Sequence, residues 1–264
     1  MAVKKPIGNV TRGTTNPNRL RRVDRFIASL PNLKRAANPI VVDLGFGASP
    51  ITAIELLARC QKVNPKTTVV GIEIERERVN NGLAVAHENL RFQLGGFETP
   101  LPSELAGKSV DVIRAFNVLR QYSEDEVAEA WQLMCNRLTE DGLLIEGTCD
   151  ELGRFASWVT LDKTAPRTFT VALSLNHIDK PSKVQERLPK ALIHHNVPGE
   201  KIYDFLTALD KAWAAQAPLS AFSAIQRWVA VCEQLKAEGW PVLSTAKRHK
   251  LGEITVAWSA VSPK

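Results

Sequence analysis

Several features are missing from this sequence, and each absence removes a class of protein. No apolar run in the 264 residues approaches the roughly 18 that a membrane-spanning helix needs. The opening stretch, MAVKKPIGNVTRGTTNPNRLRR, has basic side chains but no apolar segment of the kind a secretory signal uses. The four cysteines, Cys60, Cys135, Cys149 and Cys232, are scattered without a C-x-x-C pair. That argues against a zinc site or a disulfide framework and fits a reducing, cytoplasmic setting. The five histidines form no ligand pattern, and His194 and His195 would diverge on a helix, so no metal is expected. Aromatic residues make up only 6 %, which leaves few platforms for stacking nucleic-acid bases.

Charge is short in one place and concentrated in another. Residues 1–35 hold nine Lys/Arg (Lys4, Lys5, Arg12, Arg19, Arg21, Arg22, Arg25, Lys34 and Arg35) against the single acid Asp24, a balance of +8. The overall net charge is +6, so the remainder carries −2. A near-neutral body with a basic N-terminal arm can meet phosphates, and a solvated, poorly ordered tail has the same composition. Residues 1–18, rich in Gly, Thr, Asn and Pro, are expected to be poorly ordered. The spacing of Leu20, Val23, Phe26, Ile27 and Leu30 predicts a helix over 19–30.

From residue 40 the pattern alternates. IVVDLG reads as a strand buried on both faces, and residues 50–61 as a helix with Pro50 in its first turn. Further strands are expected at 67–74, 89–96, 109–118 and 143–149, the last entered through Asp141-Gly142. Helices fall between them, one over 124 to about 138 opened by the Ser123/Glu126 capping box. Such alternation means an α/β fold with a mostly parallel sheet covered on both faces. After residue 150 the rhythm changes to two antiparallel strands (155–162 and 167–175), a largely helical stretch and a closing strand at 253–261. The helical stripes Ile202, Phe205, Leu206, Leu209, Trp213 and Phe222, Ile225, Val229, Cys232, Leu235 read as core packing. The organisation expected is a basic arm and helix (1–37), a core (38–150) and a completing region (151–264) with helices over about 176–240, together one compact domain.

The stretch IVVDLGFGASPITAIELL, strand then glycine turn then helix, is built to hold a ligand against backbone N–H groups. It is not a dinucleotide fingerprint, because Pro50 stands where the third glycine of G-x-G-x-x-G belongs. The P-loop pattern is absent as well. What remains is Asp43 two residues before Gly45-Phe46-Gly47, and a second acid, Glu73, ending the next strand.

VVDLGFGAS followed by VVGIEIERERV resembles the class I S-adenosylmethionine-dependent methyltransferases over roughly residues 38–150. The resemblance implies a Rossmann-like doubly wound sheet, methyl transfer, and S-adenosylmethionine as cofactor. It implies Asp43, Gly45, Phe46 and Gly47 around the methionine and ribose portion, Glu73 on the ribose hydroxyls and Ile74 against the adenine. Many members place an acid after the third strand; here Gly96 and Phe97 stand there, and backbone groups or Glu98 would substitute. The [DNS]-P-P-[FYW] motif of base-amine methyltransferases is absent at the end of the fourth strand, where Asn117 is a candidate to line the transfer site. Candidates for a general base are Asn117, Tyr122, Glu146 and Asp150.

The acceptor is open between nucleic acid, a small molecule and a protein side chain, and the sequence has features bearing on the first two. The arm, through Arg12, Arg19, Arg21 and Arg22, together with Lys180, Lys183, Arg187 and Lys190, would make a phosphate-binding surface and favours RNA. A helical roof with Trp158, Trp213 and Trp228 would favour a small molecule. A cofactor-binding module without turnover, and a nicotinamide oxidoreductase, are the remaining alternatives.

Overall fold

A computed structural model describes residues 5–264; residues 1–4, with Lys4 of the basic arm, lie outside them. The arm enters α1 (Arg21–Ile27), inside the stretch 19–30 where a helix is expected, and a further short helix, α2 (Pro31–Arg35), follows it. Pro31 explains the break: Leu30 is extended at ψ 132°, and proline fits the first position of the second helix, where no backbone N–H is needed.

Strand β1 (Ile40–Leu44) is buried along its whole length. It runs parallel to β2 (Thr68–Glu73) on one side and to β4 (Val110–Phe116) on the other, with Val42 opposite Val70 and Ile113. Strand β3 (Leu90–Leu94) joins parallel to β2. Helices α3 (Ile51–Gln61), α4 (Arg76–Leu83) and α5 (Glu124–Cys135) alternate with these strands. Pro50 is the N-cap of α3, one residue before the first helical turn.

Four later strands complete one eight-stranded sheet in the order β3-β2-β1-β4-β5-β6-β7-β8. Strand β5 (Leu138–Cys149) is longer than expected because it includes the Asp141-Gly142 turn. A Cβ on Gly142 would lie 2.9 Å from Leu138 Cβ, so the chain doubles back there. Strands β6 (Phe155–Leu161) and β7 (Pro166–Leu173) follow, and β7 pairs antiparallel with β8 (Glu253–Ala257). The closing strand stops short of the expected 261, since Trp258–Ala260 turn into a 3-10 helix.

The chain divides into two compact units. The first holds the described residues up to Glu146 with Glu151–Gly153 and Leu161–Ala165. The second holds Gly147–Asp150, Arg154–Thr160 and Pro166–Lys264, with the short helices α6 (Lys190–Ile193) and α9 (Ala246–His249) and the long ones α7 (Lys201–Ala215) and α8 (Ala224–Ala237). Helix α7 buries the stripe expected of it. Helix α8 buries Trp228, Val231, Cys232 and Leu235, a repeat that leaves Ile225 exposed, and Phe222 precedes the helix at 73 % exposure. Trp158, Trp213 and Trp228 are core residues, not the lining of an open pocket; the last two rings meet edge to face at 6.3 Å.

Candidate active site

The strand order reverses direction between β1 and β4, the place where ligands settle at the carboxyl ends of an open parallel sheet. Gly45 leaves β1 there at φ +71°, and a Cβ on it would stand 2.7 Å from Val118 Cγ2 just past β4. Only glycine combines that backbone angle with that closeness. Gly47, at φ +85°, donates its N–H to Glu73 Oε2 at 3.0 Å. Glu73 Oε1 accepts from the Ile74 N–H at 2.9 Å, and Arg78 Nη1 stands 3.6 Å from Oε2. The carboxylate is 2 % exposed and faces a hollow whose wall includes Gly45, Ile74, Gly96, Phe97 and Tyr122.

The N-terminal segment crosses this hollow. The Ile7 N–H donates to Glu98 Oε2 at 2.9 Å, and the Ile7 carbonyl accepts from the Phe97 N–H at 2.9 Å. Asn9 N–H donates to the Tyr122 hydroxyl, and Tyr122 stacks edge to face on Phe97 at 5.2 Å. Arg78 Nη2 donates to the Thr11 carbonyl at 2.9 Å, and Ala48 N–H to the Gly13 carbonyl at 2.9 Å. Residues 5–18 therefore follow a defined path over the glycine turn, where a poorly ordered tail was expected.

Other expected residues stand elsewhere. Asp43 lies below the turn, bound to Arg114 by two contacts (2.6 and 3.0 Å) and to the Thr52 hydroxyl at 2.9 Å. Its carboxylate is thus turned to a buried cation. Phe46 packs its ring against Phe92 at 5.2 Å inside the core, so only its backbone belongs to the turn. Asn117, at φ +61°, immediately precedes the wall residue Val118. Glu146 is buried in β5, and burial pushes its carboxyl up to about 8, the Trp131 side chain pulling slightly down. Asp150 closes a turn by accepting the Phe155 N–H at 2.9 Å. Neither lines the hollow. Burial also pushes the Tyr122 phenol up.

The arginines of the arm are pegs. Arg19 donates to the Thr14 carbonyl at 2.5 Å, Arg21 to Leu152 at 2.8 Å and Arg22 to Gly153 at 3.1 Å, while Arg12 is exposed. Two features escaped the sequence reading. One is the strap formed by residues 7–13. The other is a buried charge cluster in which Arg114 bridges Asp24 and Asp43, with Arg59 3.0 Å from Asp24. Desolvation raises the Asp24 carboxyl to about 6 despite both arginines. The signal for it was a lone arginine in the apolar run VDVIRAF. The cysteines are all buried and free. Among the described residues no helix is long and apolar enough to cross a membrane, and no group of three or more His, Cys, Asp or Glu is placed to hold a metal.

Residues 36–207 match the family model described as a methyltransferase domain. The match covers more than half of the chain, which belongs to the class I S-adenosylmethionine-dependent methyltransferases. Among solved structures the chain is similar to the CcbJ methyltransferase from Streptomyces caelestis, at 17 % identity and TM-score 0.38 over 60 % of this chain and 66 % of that one. It is similar to human N-acetylserotonin methyltransferase in complex with S-adenosylmethionine, at 20 % identity and TM-score 0.36 over 51 % and 36 %. It is also similar to magnesium protoporphyrin IX methyltransferase from Synechocystis PCC 6803, at 16 % identity and TM-score 0.38 over 50 % and 55 %. The chain spans from about one third to two thirds of these neighbours' lengths. No curated protein matches it.

Proposed function

We propose that the hollow at the carboxyl ends of β1 to β4 is the cofactor site and that the methyl acceptor is a small molecule. The observation carrying the site is Glu73, a carboxylate 2 % exposed on the wall of that hollow and tied to the glycine turn. The residues present fit the cofactor. Gly45, without a side chain, stands on the wall, and Gly47 ties the turn to Glu73. Glu73 accepts one bond from each of two backbone N–H groups, and a carboxylate has about four acceptor positions, which leaves two for adjacent ribose hydroxyls. Ile74 and Phe97 supply apolar wall for an adenine.

When bound, the cofactor supplies an electrophilic methyl on a sulfonium, for in-line displacement by the acceptor. The chain's part is placement and exclusion of water. Tyr122, on the wall, is held as a neutral phenol by burial, so it is suited to orient an acceptor through a hydrogen bond and not to take its proton. Glu146 and Asp150 lie off the wall. The acceptor on this reading arrives with a lone pair already available.

The preference for a small acceptor follows from the arm. Arg19, Arg21 and Arg22, three of the residues on which an RNA contact was to rest, donate to backbone carbonyls of their own unit. The test is transfer of labelled methyl from S-adenosylmethionine into fractionated cell extract. Label in the metabolite fraction is expected. Label confined to RNA would overturn the acceptor reading, and label in no fraction would favour a binding module.

A further inference from the structure

The Ile7 peptide meets a donor and an acceptor side by side on the loop after β3. Its carbonyl takes the Phe97 N–H at 2.9 Å, and its own N–H goes to Glu98 Oε2 at 2.9 Å. Glu98 is held for this, because Oε1 accepts the Gly96 N–H at 3.0 Å. A neighbouring donor and acceptor of this kind match the edge of an adenine, which presents a ring-nitrogen acceptor beside its amino donor. The loop belongs to the wall of the hollow, as do Gly96, Phe97 and Ile7 itself.

We propose that the Ile7 peptide occupies the adenine-reading pair of the cofactor site, so that the N-terminal strap is a built-in competitor that the cofactor must displace. The inference rests on the reading of the hollow as the cofactor site. Three observations carry it. A backbone N–H has one hydrogen, so while Ile7 holds Phe97, that donor is closed to an adenine. Gly96 makes the approach possible: any side chain there would strike the Ile7 carbonyl. The strap is also fastened beyond the contact, by Asn9 to Tyr122 and by Thr11 to Arg78, the latter standing beside Glu73. The adenine and ribose ends of the site are thereby under one latch.

Competition gives a definite sign. Cofactor binding must break the strap's bonds, so weakening the strap strengthens binding. A lid closing over bound cofactor gives the opposite sign.

The test is calorimetric titration with S-adenosylhomocysteine of three proteins: the full chain, a variant lacking residues 2–10, and full-length Ile7→Pro, which removes the N–H given to Glu98. Hydrogen exchange over residues 6–13 is read with and without the ligand. Displacement predicts a Kd lower by about tenfold in the deletion and by about threefold in Ile7→Pro, as expected for hydrogen bonds of ordinary net strength. It also predicts faster exchange in the strap of the full chain once ligand is added. Weaker binding in both variants, with slower exchange, would make the strap a lid and overturn the proposal. Unchanged binding in both would make it a bystander and overturn it equally. If no protein binds the ligand while all three melt cooperatively, the cofactor reading falls, and this inference with it.

Discussion

Glu73 joins the glycine turn to the hollow through one carboxylate, and its replacement separates the two roles. Glu73→Gln keeps an acceptor for one backbone N–H but loses the charge, and its amide donors face donors. Affinity for S-adenosylhomocysteine is expected to fall by about tenfold or more, measured by calorimetry. Arg114 has the opposite kind of importance. It is fully buried between Asp24 and Asp43, and Arg114→Leu would leave two buried carboxyls with little compensation. A loss of about 3–5 kcal/mol is expected, read from denaturant unfolding. At Glu146 the sign depends on pH. Its carboxyl moves from an ordinary 4.5 to about 8 on folding, so the folded chain keeps a proton that the unfolded chain releases. Its contribution is present below about 4.5 and is lost as pH rises toward 8, at up to about 1.4 kcal/mol per pH unit. The melting temperature of Glu146→Gln should therefore gain on that of the parent between pH 5 and 8. A constant difference would show that the group titrates normally. At this scale the positions of Gly45, Gly47 and Glu73 were legible, because a glycine turn between an apolar strand and a helix has few other uses. The direction of Asp43 was not. An acid before such a turn serves a ligand or a cation below, and only Arg114, directly opposite on the neighbouring strand but 71 residues away in sequence, decides.

Among the elements, α5 is the one whose start was written most plainly. The Ser123 N–H and hydroxyl both donate to Glu126 Oε2, at 2.7 and 2.8 Å. Ser123→Ala is expected to cost about 1 kcal/mol, seen as a fall of a few degrees in melting temperature. The parallel strands β1, β2 and β4 were equally legible, since strands buried on both faces are mostly apolar runs. The N-terminal strap was not. Its bonds use backbone groups of Ile7, Asn9, Thr11 and Gly13, which any sequence possesses, and its composition is that of a loose tail. The register of α8 slipped for a related reason. Apolar residues at 222, 225 and 229 imitate a stripe, but the larger Trp228 takes the core and leaves Phe222 and Ile225 outside.

For the whole molecule, the family is carried by residues 36–207, and the methyl acceptor by what surrounds the site. For that acceptor, net charge and hydrogen bonding point in different directions. The +8 of the first 35 residues looks like a polyanion contact, yet Arg19, Arg21 and Arg22 close hydrogen bonds on carbonyls, and Arg114 with Arg59 answers the one acid of the segment, Asp24. A salt series checks this reading. Binding of single-stranded RNA, if any, should be weak and fall with salt as a non-specific contact does, while cofactor binding stays nearly level. The central claim is that the hollow beside Glu73 receives S-adenosylmethionine. The most direct measurement is a calorimetric titration of the full chain and of Glu73→Gln with S-adenosylhomocysteine, with NADH as the control ligand. The account predicts one S-adenosylhomocysteine per chain, at least about tenfold weaker in the variant, and no heat from NADH. Equal affinity in the two proteins, or binding of NADH in place of S-adenosylhomocysteine, would contradict it.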